Sequence, residues 1–190
     1  MRTGFALALL ALGLGVLAAG GPVLGFDFVR WDDDINVLQN RLLVDPWSWD
    51  LVARLFGAAD ALRFKPVHWL LLRAVHAQAG WDPAAWHLVG LLLHATTAVL
   101  FALVLRRILG FLRPADWRND LAALAAAALW ALHPLRAETV AWVTASTYPL
   151  TGLLLLGSFL CYLKAQFDRR PGLAWLIAAW LLALLAYGSY

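Results

Sequence analysis

Asp32, Asp33 and Asp34 stand side by side, with Trp31 before them and Ile35-Asn36-Val37 after. Adjacent carboxylates repel one another and persist only where they are solvated or given partners. Such a run serves as a solvated loop start or a helix N-cap. Alternatively it does chemistry, as a general base toward a hydroxyl or as oxygen ligands for a divalent cation. Lys65 and Arg136 are the cations that would complement it, and the planar fork of Arg136 suits a phosphate. A structural ion pair or interface anchor accounts equally well for Arg136 and Glu138. His87 and His94 are seven apart and share a helix face, but two histidines make an incomplete metal site, and polar packing between helices explains them. His68 and His76 read as surface residues, and no metal site is assigned. The sequence has no Gly-rich phosphate loop, no His-Glu-x-x-His and no Gly-x-Ser-x-Gly. Cys161 is the single cysteine, which excludes an internal disulfide framework and a cysteine zinc site.

The elements that must position these residues belong to a membrane protein. Of 190 residues, 63% are hydrophobic and 14% charged, against about 25% charged in a soluble domain. Disorder is excluded by the same apolar content. The net charge of +3 is not clustered as nucleic acid would require. A membrane span takes roughly 20 apolar residues, and five stretches qualify as candidates: 3–26, 83–105, 121–135, 147–163 and 171–190. The third is short and ends at His133-Pro134. The expected fold is therefore all-α and integral to the membrane. It is a single transmembrane domain over 1–190, with a first span at 1–26, an extracytoplasmic loop at 27–82 and four further spans over 83–190.

Orientation follows from the basic residues. With the N-terminus inside after Arg2, the inside loops hold Arg106, Arg107, Arg113 and Arg118, then Lys164, Arg169 and Arg170, opposed only by Asp116, Asp120 and Asp168. Eight of the twelve acidic residues fall in 27–82. Residues up to Leu17-Ala18-Ala19-Gly20 also have the layout of a signal peptide, but the uncharged run continues to Phe26, beyond what a signal core needs. The loop holds Trp31, Trp47, Trp49, Trp69 and Trp81, a residue type that favours the membrane–water interface. The spacing predicts two short helices lying on the surface, near 47–57 and 66–79, the second opened by Pro66 and broken at Gly80-Trp81-Asp82-Pro83.

Four blocks carry a resemblance. They are Phe28-Val29-x-Trp31-Asp32-Asp33-Asp34-x-x-Val37-x-x-Asn40, Phe64-Lys65-Pro66-Val67-x-Trp69, Trp86-His87-Leu88-Val89-Gly90-Leu91-Leu92-Leu93-His94, and Ala131-Leu132-His133-Pro134-Leu135-Arg136-Ala137-Glu138-Thr139-Val140-Ala141-Trp142-Val143. In order and spacing they resemble a bacterial family of polytopic membrane proteins related to the transmembrane and tetratricopeptide-repeat O-mannosyltransferases. The resemblance covers residues 26 to 165. It implies a GT-C glycosyltransferase fold in the bacterial inner membrane, with sugar taken from a polyprenyl-phosphate donor and passed to a hydroxyl acceptor, protein included, outside the cytoplasm. The family's acidic signature falls on Asp32 and Asp33 as catalytic residues. Asp34, Lys65, His133, Arg136 and Glu138 become candidates for holding the donor phosphate or substrate, and a divalent cation at Asp32–Asp34 is the one cofactor the pattern would accommodate.

Two departures stand out. The family usually has Asn where this chain has Gly90, and a charged stretch with Arg where this chain reads Thr144-Ala145-Ser146-Thr147-Tyr148. Family members also continue with more spans and often repeats, so the chain is expected to be an N-terminal portion. The alternative function is a non-catalytic membrane scaffold, a remnant of such an enzyme. A transporter is disfavoured, since the charges cluster outside the bilayer rather than at its midplane. The topology predicts that an alkaline phosphatase fusion after Asp60 is active and one after Arg113 inactive; the reverse pattern contradicts it.

Overall fold

A computed structural model describes residues 3–57, 64–112, 114, 116–168 and 172–190. Arg2, Asp60, Arg113, Arg169 and Arg170, all part of the topology argument, lie outside them. The described residues are helical and contain no strand. Helix α1 (Thr3–Gly20) runs on into a 3₁₀ turn, Gly21–Gly25. A single π turn, Asp34–Leu38, follows, then α2 (Arg41–Val44), α3 (Trp49–Phe56) and α4 (Pro66–Ala79). Next come α5 (Pro83–Leu112) and α6 (Trp117–Ala131). A 3₁₀ turn at Pro134–Arg136 leads to α7 (Ala137–Ala141), and a second at Val143–Ser146 leads to α8 (Thr147–Phe167) and α9 (Leu173–Tyr187).

Among the described residues, three stretches are long and apolar enough to cross a membrane: Thr3–Gly25, Pro83–Leu112 and Val143–Phe167. The expected third and fifth spans are α6 and α9, each of 15 residues. At 1.5 Å per residue each is about 22 Å long, short of the roughly 30 Å hydrocarbon thickness. The cause is local. Asp116 caps α6 by accepting from the Trp117 N–H, which puts Arg118 and Asp120 inside the helix. Pro134, which has no N–H, opens a new turn three residues after α6 ends. Gly188 follows the last residue of α9.

Helix α5 is the spine, touching α1, α6 and α8. Its contacts with α1 and α6 run through small residues: Ala95, Ala98 and Ala102 face Val16, Ala127 and Ala131 in two buried clusters. Small side chains let backbones approach, which is how helices gain dispersion contacts where lipid removes the hydrophobic drive. At the C-terminal end of α5, Arg106 pairs with Asp120 and Arg107 with Asp168. Trp86 lies near its other end, twenty residues away, which is about 30 Å along a helix axis.

Around Trp86 the loop folds into a helical cap. Val37, Leu42, Leu43, Leu51, Leu55, Trp69, Leu72 and Val75 form one core with Trp86 and Val143. Each short helix has a local reason to start. The Asn40 side chain accepts from the Leu42 N–H at 3.0 Å, the Ser48 hydroxyl accepts from the Leu51 N–H at 3.0 Å, and Pro66 sits in the first turn of α4. Gly80 ends α4 with φ +56°, a conformation that favours glycine. The apolar faces of α3 and α4 turn into this protein core, while Trp49 stays 89% exposed. A cation–π contact of Arg73 over Trp47, at 4.3 Å, and hydrogen bonds from Arg73 to the carbonyls of Leu42 and Asp45 tie α4 to the loop before α3.

The underside of the cap rests on the turn Val143–Ser146. His68 is fully buried there, its Nε2 2.9 Å from the Ser146 hydroxyl. Burial, helped by the nearby Lys65 charge, pushes the imidazole down to about 3, so it is neutral near pH 7.

Two outcomes follow for stability. Leu51→Ala empties a fully buried position and should cost about 2–5 kcal/mol in thermal or denaturant unfolding, whereas Trp49→Ala should stay within about 0.5 kcal/mol. For His68 the folded-state pKa lies below the unfolded one, so only the unfolded chain takes up a proton as the pH falls below about 6.5. Its share of stability is therefore complete above pH 6.5 and is lost as the pH falls toward about 3. A His68→Gln variant should show a shallower loss over that window, and an unchanged acid slope would count against the assignment.

Candidate active site

The acidic run is not a solvated strip. Residues 26–29 have no regular secondary structure, and the π turn then carries the chain back under the cap with Val37 buried. Gln39 closes that turn by donating its N–H to the Asp34 carbonyl at 2.8 Å. Successive residues of this tight turn face different ways, and the three carboxylates end in three environments.

Asp33 is fully buried. Its Oδ1 accepts from the Thr144 N–H at 2.9 Å and from the Thr144 hydroxyl at 2.6 Å, and its Oδ2 accepts from the Val29 N–H at 3.1 Å. A buried carboxylate without partners would cost several kcal/mol; three donors on two oxygens satisfy it. The bond joins residues 111 apart in sequence. Asp34 is half-buried and accepts from the Ile35 N–H, a local turn contact. Asp32 is half-buried and lines a cavity of about 510 Å³.

That cavity lies between the cap and the turn before α8. Asn36, Gln39 and Asn40 line it from the π turn and its exit, Lys65 and Trp69 from the start of α4, and Trp142, Thr144 and Tyr148 from the far side. Its size falls within the usual range for small-molecule sites, roughly 300–1,000 Å³. Lys65 is 6% exposed, so its charge sits where water screens it little. The Asn40 amide donates to the Asn36 carbonyl at 3.0 Å and pins that wall. At the rim, Arg54 pairs with Asp45 at 2.7 Å; its hydrogen bond holds the Asp45 carboxyl below the ordinary range, with Arg41 adding to the effect.

The structure thus brings Asp32 and Lys65 to one cavity and places Asp33 directly behind it. It does not bring His133, Arg136 or Glu138 there. His133 is exposed and caps its own turn, its Nδ1 accepting from the Leu135 N–H at 3.2 Å. Arg136 lies over the Trp130 ring at 5.5 Å, and Glu138 is exposed at the start of α7. His87 and His94 are buried in α5, and His94 Nε2 meets the Ala131 carbonyl at 3.0 Å. Among the described residues no three His, Cys, Asp or Glu side chains gather to hold a metal ion. A cation at Asp32–Asp34 would have to draw its remaining ligands from substrate or water.

Sequence reasoning missed Thr144, Trp69 and Trp142 as members of the site. The signal for Thr144 was present: Thr144, Ser146 and Thr147 are hydroxyl residues clustered just before an apolar helix, and all three are buried. The uncharged stretch Thr144–Tyr148 is a wall of the cavity and the anchor of the acidic motif.

No family model matches the chain, and no solved structure does. Named proteins do. The protein O-mannosyl-transferase tmtc2 of Xenopus laevis is 30% identical over 168 residues, which is 82% of this chain and 19% of that protein. The protein O-mannosyl-transferase TMTC4 of Homo sapiens is 30% identical over 176 residues, or 86% and 24%. The protein O-mannosyl-transferase Tmtc1 of Drosophila melanogaster is 32% identical over 133 residues, or 70% and 13%. The chain spans a quarter or less of the length of these relatives. It is homologous to a segment of proteins named as protein O-mannosyl-transferases.

Proposed function

We propose that this chain carries the acceptor-activating centre of a GT-C type membrane glycosyltransferase. It would act outside the cytoplasm, moving a sugar from a polyprenyl-phosphate donor to a hydroxyl acceptor. The observation that supports the reading best is the division of the acidic pair. Asp32 borders a cavity that also holds Lys65, while Asp33 is locked to Thr144 and Val29. The relatives' names make mannose the sugar to test first and a protein hydroxyl the acceptor.

In this reading the acceptor oxygen attacks the anomeric carbon of the donor and the new C–O bond forms. Asp32 takes the acceptor's proton as that bond develops. The bond between the anomeric carbon and the phosphate oxygen breaks, and its electron pair leaves on the polyprenyl phosphate. A phosphate is a stable anion and needs no proton to depart. Lys65 lies where it can stabilise that charge, and low solvent exposure strengthens the interaction. Asp33 touches no reactant; it is a positioning residue that holds Asp32 at the cavity edge. The cavity would open at the bilayer surface, where a lipid-linked donor presents its head group.

The test is transfer from polyprenyl-phosphate mannose to a serine/threonine peptide, in membranes carrying the protein. Asp32→Asn should fold normally and lose about 10²–10⁴-fold in kcat. Asp33→Asn and Thr144→Val should lower thermal stability together with activity, because each leaves a buried polar group short of a partner. Full activity in Asp32→Asn would defeat the reading. A wild-type protein that neither binds donor nor transfers sugar would favour the non-catalytic scaffold.

A further inference from the structure

Three arginines meet at Asp45, on the rim of the cavity. Arg54 donates to its Oδ2 at 2.7 Å, Arg41 Nε to its Oδ1 at 3.2 Å, and Arg73 to its carbonyl at 2.6 Å. The Asp45 N–H closes α2 by donating to the Arg41 carbonyl at 2.9 Å. Main chain and carboxylate of Asp45 are thus both held. Asp50, paired with Arg54 at 3.1 Å, is the other acid of the group. Three arginines face two aspartates, so the cluster stays net positive.

The three cations differ in what they have left to offer. Arg73 donates to the carbonyls of Leu42 and Asp45 and lies over the Trp47 ring. Arg54 is committed to Asp45 and Asp50. Arg41 meets Asp45 through Nε alone; among the described residues its two terminal nitrogens make no hydrogen bond or ion pair. Its side chain is 80% exposed and lines the same cavity as Asp32. An exposed pair of this i,i+4 kind adds little to stability. What it does is fix one edge of the guanidinium and leave the other accessible at the cavity.

That free edge is a planar fork of donors, which matches two oxygens of a phosphate. A sugar phosphodiester carries one negative charge, and the monoester released from it carries about 1.5 to 2 at pH 7. A cation on those oxygens binds more strongly as the sugar–phosphate bond breaks, and so favours the transition state over the bound donor.

We propose that Arg41 is a ligand-binding residue at the cavity rim, its guanidinium anchored by Asp45 and its free edge taking the oxygens of a phosphate monoester. The identity of that ester as released polyprenyl phosphate rests on the glycosyltransferase reading; the site itself rests on the arginine cluster and the accessible fork.

The experiment uses the full 190-residue chain, with ¹⁵N in its arginine side chains, in a polyoxyethylene detergent that contributes no phosphate. The probes are citronellyl phosphate, a lipid monoester, and inorganic phosphate, each followed by ³¹P NMR. Both should bind saturably, citronellyl phosphate at the lower concentration, and each should move one arginine side-chain N–H signal. Arg41→Gln should delete that signal and weaken citronellyl phosphate binding about tenfold. Arg41→Lys, which keeps the charge and loses the fork, should fall between the two. Arg118→Gln, an exposed arginine at the start of α6, should bind as wild type does. Citronellyl phosphate that binds Arg41→Gln as tightly as wild type, or binds wild type without moving any arginine signal, overturns the site and leaves the glycosyltransferase reading standing. Inorganic phosphate that moves the Arg41 signal while citronellyl phosphate does not supports the site and removes the lipid-linked ester. Absence of binding by both probes overturns both. The wild-type spectrum decides the matter even where a variant fails to fold.

Discussion

A carboxylate buried away from water is among the most expensive groups a protein can fold around, and Asp33 is one. It is tolerated because Thr144 brings two donors and Val29 a third. That requirement reaches across the molecule. The π turn after the first membrane helix must meet the turn that opens α8, and the cap must close over both. The core of Leu51, Leu55, Leu72 and Val75 seals the upper face, and His68 on Ser146 seals the lower. Once Asp33 is fixed, its neighbour Asp32 is carried to the cavity edge by chain geometry alone.

The helical frame below has a different physics. Its buried contacts set alanines of α5 and α6 against Phe5, Leu9 and Val16 of α1, where close backbones rather than excluded water supply the attraction. Charged residues collect at its two ends: paired arginines and aspartates at the C-terminal end of α5, and the acidic motif with Lys65 beyond the N-terminal end. The acidic motif and Lys65 are thereby confined to one end of this apolar frame.

Much of this was readable in the sequence, for local reasons. Pro66 and the spacing of Val67, Leu70, Leu71 and Val75 fix α4, which runs Pro66–Ala79. Ser48 starts the helix before it, because its hydroxyl accepts the Leu51 N–H. The acidic run was legible as a motif but its internal division was not. Which aspartate is buried depends on a partner 111 residues away, and no local pattern encodes that. Likewise the short helices were expected to lie on the membrane surface, whereas their apolar faces complete a protein core with Trp86 and Val143. The bounds of α6, not its length, differ from the expected 121–135, since Asp116 caps the helix before Trp117 and the helix stops at Ala131, short of Pro134.

The account turns on the claim that Asp33 acts through Thr144 to position the motif. A double-mutant cycle measures this directly, with Asp33→Asn, Thr144→Val and the pair compared by unfolding in detergent. The account predicts strong coupling, about 1.5–3 kcal/mol for a hydrogen bond to a buried charge, with the double variant hardly worse than the poorer single. Strictly additive losses would contradict it, because the two residues would then stabilise the fold independently.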